Sequence, residues 1–102
     1  MYNINMNAIS FDWDENKNQI NIRKHGLSFE EALTVFYDDY AIVFDDPDHS
    51  ISENRFLIIG TSKRNRLCIV SHCYRNSDNV IRIISARKAS KTEKQVYNEQ
   101  FI

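Results

Sequence analysis

Three apolar stretches crowd the second half of the chain, separated by only a few polar residues. They read "RFLIIGTS", "LCIVSHCY" and "VIRIISARK", with "KRNR" and "RNSDN" between them. Their β-branched and aromatic content makes each a strand. A link of four or five residues cannot carry a chain back across a sheet, so sequential strands must run antiparallel. Arg55 to Lys88 is therefore a three-stranded meander. Its strands are apolar on both faces at their centres. Helices must cover one face, and the last helix or a partner must cover part of the other.

The remaining segments supply the helices. "AISFDW" reads as a short strand ending at Asp12, and "DWDENKNQINIRKHG" as a helix. Asp12 and Glu15 have capping-box spacing, and Gly26 suits the left-handed residue after a helix. This helix has a thin apolar face (Trp13, Ile20, Ile22) and is expected to be largely exposed. In "LSFEEALTVFYDD", Ser28 and Glu31 form a second capping box, and Phe29, Ala32, Leu33 and Phe36 make a helical stripe facing the core. "YAIVF" reads as a strand and "DDPDHSISEN" as a polar loop with the only proline. Ser90 and Glu93 form a third capping box, opening a helix to about Gln100 anchored by Val96, Tyr97 and Phe101. The fold class is α+β: two N-terminal helices, an antiparallel β meander and a C-terminal helix. Residues 11–102 form a single domain. Residues 1–10 are a lead, either flexible or an added strand.

With 102 residues the chain builds one small core, and 42% hydrophobic and 26% charged content argue against disorder. No apolar run spans a membrane and no secretory signal opens the chain, so the cytoplasm is the expected compartment. Cys68 and Cys73, five apart on one strand, point to opposite faces and are expected to stay reduced. The net charge of −1 hides a polarity: residues 1–53 hold 3 Lys/Arg against 11 Asp/Glu, and residues 54–102 hold 10 against 3. A basic half suits a phosphate-bearing partner, unless folding simply neutralises the two halves.

Arginines inside the apolar "VIRIISARKAS" need an explanation, because Arg82 sits between isoleucines. Arg55, Arg75, Arg82 and Arg87, with His72, come from neighbouring strands of the meander and can converge. Arg87, Lys88 and Lys91 bracket the start of the last helix, whose free N–H groups attract phosphate. RNA cleavage without metal needs a base for the ribose 2′-OH, cations for charge on the phosphorane and an acid for the leaving 5′-oxygen. His72, Glu53 and Tyr74 are candidates for proton transfer, and Arg75, Arg82 and Arg87 for charge stabilisation. Regular alternation puts Arg82 and Arg87 on opposite faces, so a bulge is required if both serve one site. His72 and Cys73 alternate likewise and cannot form a nucleophile–base pair. Asp45, Asp46, Asp48 and His49 are plausible hard-metal ligands, but their spacing fits no EF-hand. The bland reading is a proline turn.

"FDWDENKNQINIRKHGLSFEEALTVF", "DPDHSISENRFLIIGTS" and "IRIISARKASKTEKQVYNE", in that order, resemble the BrnT-type toxins of type II toxin–antitoxin pairs. The resemblance runs from Phe11 to about Glu99. It implies a RelE-like ribonuclease fold, toxic cleavage of cellular RNA, and a BrnA-type antitoxin whose ribbon-helix-helix region binds operator DNA. The chain would meet DNA only through that antitoxin, as a homodimer or in a heterotetramer with it. By position, Lys24 and His25 match the family's K-H-G, Glu53 and Arg55 its E-x-R, and Arg82, Ser85, Arg87 and Lys88 its I-R-I-I-S-A-R-K block. Asn65 replaces a usual glycine at a turn position that tolerates φ > 0. The expected catalytic set is Arg87, Arg82, His72, Arg75 and Glu53, with Lys24, His25, Arg55, Lys88 and Lys91 binding RNA. The expected protein is a metal-independent endoribonuclease without cofactor or membrane partner. The rival is a non-enzymatic RNA- or protein-binding module, a degenerate toxin or co-repressor. A third reading is a metal-dependent nuclease using the "DDPDHS" loop.

Overall fold

The computed structural model describes residues 2–3, 9–46, 48, 54–75 and 79–102. Pro47, His49, Glu53, residues 4–8 of the lead and residues 76–78 of the last turn lie outside the described residues. Six strands form one sheet: β1 (Tyr2–Asn3), β2 (Ser10–Asp12), β3 (Ile42–Asp45), β4 (Phe56–Thr61), β5 (Leu67–Arg75) and β6 (Val80–Lys88). Their spatial order is β1-β2-β6-β5-β4-β3. β4, β5 and β6 make the expected antiparallel meander, extended by β3 antiparallel to β4. On the other side β2 pairs parallel with β6, and β1 adds to its edge through Tyr2↔Phe11 and Asn3↔Ser10. Asn65, with φ 61°, takes the left-handed position in the β4–β5 turn.

Helices α1 (Glu15–His25) and α2 (Phe29–Thr34) cover one face, hereafter the inner face; a 3₁₀ turn, Val35–Tyr37, follows α2. Their core gathers Phe11, Leu27, Phe29, Ala32 and Val35 against Ile58, Val70, Ile81 and Ile83. Each large apolar side chain here contributes roughly 1.5–3 kcal/mol on burial. α3 (Lys91–Asn98) crosses one end of the opposite, outer face, where Tyr97 packs with Ile59, Ile69 and Ala89. Among the described residues no other helix covers the outer face.

Local details depart from the sequence reading in four places. First, α1 is capped by Asp14, whose carboxylate accepts from the N–H groups of Asn16 and Lys17 at 2.8 and 3.2 Å. Asp12 is still in β2 and its side chain takes Arg82, so an Asp12–Glu15 box cannot form. Second, α1 docks through amides. Asn18 and Asn21 are buried while Ile20 and Ile22 are 53% and 36% exposed. β2 pairs with β6 only as far as Arg82, which leaves the edge of β6 open at Ala86. The Asn21 side chain fills that gap like a peptide unit. It accepts from the Ala86 N–H (3.1 Å) and donates to the Ala86 and Leu27 carbonyls (2.9 and 2.8 Å).

Third, only half of the Ser28–Glu31 box forms. Ser28 Oγ accepts from the Glu31 N–H, but the Glu31 carboxylate turns to Ser62 and Arg66. Fourth, Tyr97 alone of the three expected anchors of α3 is buried; Val96 and Phe101 are exposed. Tyr97 donates to Asp38 at 2.6 Å. Burial pushes the Asp38 carboxyl up, but hydrogen bonds from Tyr97, Thr61 and Tyr40 outweigh it and hold the group below its ordinary value.

Candidate active site

One irregularity in β6 determines what the outer face carries. Opposite β5, Ser71 pairs with Ser85 and His72 with Ile83, so Ile84 is an extra residue bulged out of the ladder. A bulge of this kind inverts the alternation of the residues beyond it. Ile81 and Ile83 point to the inner core before it, and Ala86 does so after it. Arg82, Ser85 and Arg87 therefore all lie on the outer face, opposite Cys73, Ser71 and Ile69 of β5. The requirement set by the sequence is met by one additional residue.

A recess of about 290 Å³ opens there, lined by Asp46, Arg55, Leu57, Ser71, Ser85 and Arg87. Two guanidinium groups, a carboxylate and two hydroxyls meet there beside Leu57. Arg87 is held from the far side. Its Nη1 and Nη2 donate to the two carboxylate oxygens of Glu93, both at 2.8 Å, and Nη1 also reaches the Lys88 carbonyl at 3.3 Å. These bonds leave the Nε–H and one Nη2–H, the side edge of the guanidinium, for a further acceptor. Glu93 in turn accepts from the Ser90 N–H while Ser90 Oγ accepts from the Glu93 N–H, so the third capping box is complete. The hydrogen bond from Arg87 holds the Glu93 carboxyl down at about 2.

The structure brings together only part of the expected set. Arg55 and Arg87 share the recess. Arg82 is on the same face but is engaged by Asp12 at 2.6 Å. By alternation Arg75 belongs to that face too, at the far end of β5. His72 is on the inner face, fully buried, with the Phe36 ring centroid 4.8 Å away. Its Nδ1 lies 3.2 Å from the Val70 carbonyl and its Nε2 3.3 Å from the Tyr74 hydroxyl. Burial pushes its pKa below the ordinary value, which makes it a neutral core imidazole. The sheet separates His72 and Tyr74 from the recess. Lys24 and His25 end α1 on the inner side, and Lys88 projects there beside Cys68, while Lys91 opens α3. Glu53 and His49 lie outside the described residues.

Cys68 and Cys73 are both buried and unbridged, on opposite faces as alternation requires. Burial pushes the Cys68 thiol up to about 11. Among the described residues no three acidic, histidine or cysteine side chains gather as a metal-binding group, and no helix is long and apolar enough to cross a membrane. Asp46, Leu57 and Ser71 are lining residues that the sequence does not mark for this site. Ser71, like Ser85, is a hydroxyl interrupting an apolar strand, and that interruption was the available signal. Asp46 became legible only when the fold laid the end of β3 beside β4.

Fold and site define a small α+β protein with an arginine-bearing recess on the antiparallel strands of a mixed sheet. The profile of the family described as "Ribonuclease toxin, BrnT, of type II toxin-antitoxin system" matches residues 13–93, and the chain belongs to that family. Among solved structures it is similar to the 1.1 Å crystal structure of the Brucella abortus ribonuclease toxin BrnT. The TM-score is 0.62 and the identity 29%, over 81% of this chain and 99% of that one. No curated protein matches the chain.

Proposed function

We propose that this chain is a metal-independent endoribonuclease toxin that cleaves RNA in the outer-face recess. The observation that carries the reading is the Ile84 bulge, which turns Ser85 and Arg87 toward Ser71 and Arg55. Membership of a ribonuclease toxin family implies an RNA substrate and an antitoxin. In the cleavage step the ribose 2′-oxygen attacks the adjacent phosphorus and loses its proton to a base. The P–O5′ bond breaks, and the 5′-oxygen gains a proton. The products are a 2′,3′-cyclic phosphate and a 5′-hydroxyl. The side edge of Arg87 and the guanidinium of Arg55 stabilise charge on the phosphorane. Ser71 and Ser85 orient the phosphate by hydrogen bonding. Asp46 is the carboxylate lining the recess among the described residues, and it transfers the proton. A BrnA-like ribbon-helix-helix antitoxin neutralises the activity.

The test is cleavage of RNA in excess EDTA by the wild type and by Arg87→Ala. Loss of one such donor costs roughly 3–4 kcal/mol of transition-state stabilisation, a drop of about 10²–10³ in kcat. Activity undiminished in Arg87→Ala would move the site elsewhere, and activity abolished by EDTA would favour a metal-dependent nuclease. A second reading has an observation of its own: the Arg87–Glu93 fork ties β6 to α3, as a purely structural pair would. It predicts that Arg87→Ala loses thermal stability in step with activity, whereas the catalytic reading predicts a folded, inactive protein.

A further inference from the structure

The cations of this chain are not spread evenly over its surface. Arg66, Arg82 and Arg87 are each paired with a carboxylate. A second group gathers at the end of the sheet where β4 turns into β5. The last turn of α1 brings Arg23 and Lys24 to this end, and the β4–β5 turn brings Lys63 and Arg64. Arg66 holds the two turns together by donating to the Gly26 carbonyl at 3.2 Å and to Glu31. Lys88 closes β6 opposite Cys68 at the same end, and Lys94 of α3 borders Asn65 and Leu67. All six of these side chains are exposed, and among the described residues no ion pair takes them. Of the carboxylates at this end, Glu31 is held by Arg66 and attracts Arg64 only at longer range, and Asp38, which shares a recess with Lys63, accepts from Tyr97, Thr61 and Tyr40.

We propose that this basic end is a track for the phosphate backbone of RNA flanking the cleaved bond, leading over the start of α3 to Arg87. The inference rests on the RNA-cleaving reading of the recess and adds where the rest of the substrate lies. A polyanion fits better than a protein partner. Protein interfaces centre on apolar and aromatic side chains and are depleted in lysine. Ile22, at the margin, is exposed at 36%, and the exposed aromatics Tyr40 and Phe101 meet edge to face beyond α3 instead of joining the cations. Cations on four separate elements match a charged strand in extended contact.

The test compares a short oligoribonucleotide that only fills the recess with RNA of several tens of nucleotides. Wild type, Lys63→Glu/Arg64→Glu and the control Lys17→Glu are assayed across a salt series. The two reversed side chains lie in a turn whose hydrogen bonds run through backbone N–H groups to Thr34 and Ser62, so the fold survives. The double variant should cleave the short substrate at the wild-type kcat/KM. Its KM for long RNA should rise at least about tenfold at low salt, with a log–log salt slope shallower by about 1.4. Lys17→Glu should leave both unchanged. An unchanged KM for long RNA, with short-substrate cleavage intact, would overturn the track alone. Salt-dependent RNA binding that the double variant weakens, without cleavage by the wild type, would overturn the recess reading and keep the track. A variant that loses only antitoxin binding would assign this end to the protein partner and overturn the proposal.

Discussion

Arg87 uses one edge of its guanidinium on Glu93 and keeps the other. The end-on fork fixes the plane of the group, and a lysine cannot reproduce it because its ammonium is a point charge. Arg87→Lys should therefore retain RNA affinity and recover only a small part of kcat, read from single-turnover cleavage. The same pair gives a stability prediction. Glu93 titrates at about 2 in the fold, against 4.5 as its ordinary value. A depressed carboxyl stabilises above its unfolded pKa, so the contribution is complete above about pH 4.5 and disappears as pH falls toward 2. Arg87 is almost half exposed, which limits the pair to roughly 1 kcal/mol after solvent screening. Glu93→Gln should flatten the loss of melting temperature over that interval by the corresponding amount. The capping-box spacing of Ser90 and Glu93 was legible in the sequence. That the same glutamate also holds Arg87 was not, because a six-residue separation across a strand end and a helix start has no periodic signature.

Among the elements, α1 is the one whose packing chemistry inverts expectation. Hydrophobic periodicity identifies a face by its apolar residues, and here those residues point outward while two asparagines point in. Asparagine satisfies three backbone groups at once only if an open strand edge lies within reach, a condition set by where β2 stops. No local pattern encodes it. Asn21→Ala should leave the Ala86 and Leu27 groups buried and unpaired, costing roughly 2–4 kcal/mol in urea unfolding. Ile20→Ser should stay within about 0.5 kcal/mol of wild type, the reverse of a ranking by hydrophobicity. The meander and the α2 stripe were readable because apolar period and burial coincide there: Phe29, Ala32 and Leu33 are all buried. Of the recess lining, the sequence offered Arg55 and Arg87 as candidates and Ser85 as part of a matched block, but not which candidates share a face. His72 had suitable chemistry and the wrong side of the sheet.

For the molecule as a whole, helices cover the inner face, and among the described residues α3 alone packs on the outer face, at one end. The recess lies on the part of this face that no described helix covers, and the cleavage site proposed there would be silenced by an antitoxin laid over it. An acidic antitoxin segment laid across β4–β6 should slow amide exchange in those strands and in α3, while α1 exchanges as in the free toxin. Protection confined to α1 and α2 would mean inhibition without occlusion. The bulge at Ile84 carries a further consequence for how relatives are compared. It acts as a phase shift, so the two halves of β6 obey opposite parities of the same alternation. A homologue lacking a single residue there would preserve the strand, its composition and most of its pairing, yet turn its Ser85 and Arg87 counterparts into the core. Across such sequences, the length of the strand between the two arginines separates a working face from a silent one more sharply than the identity of any residue in it.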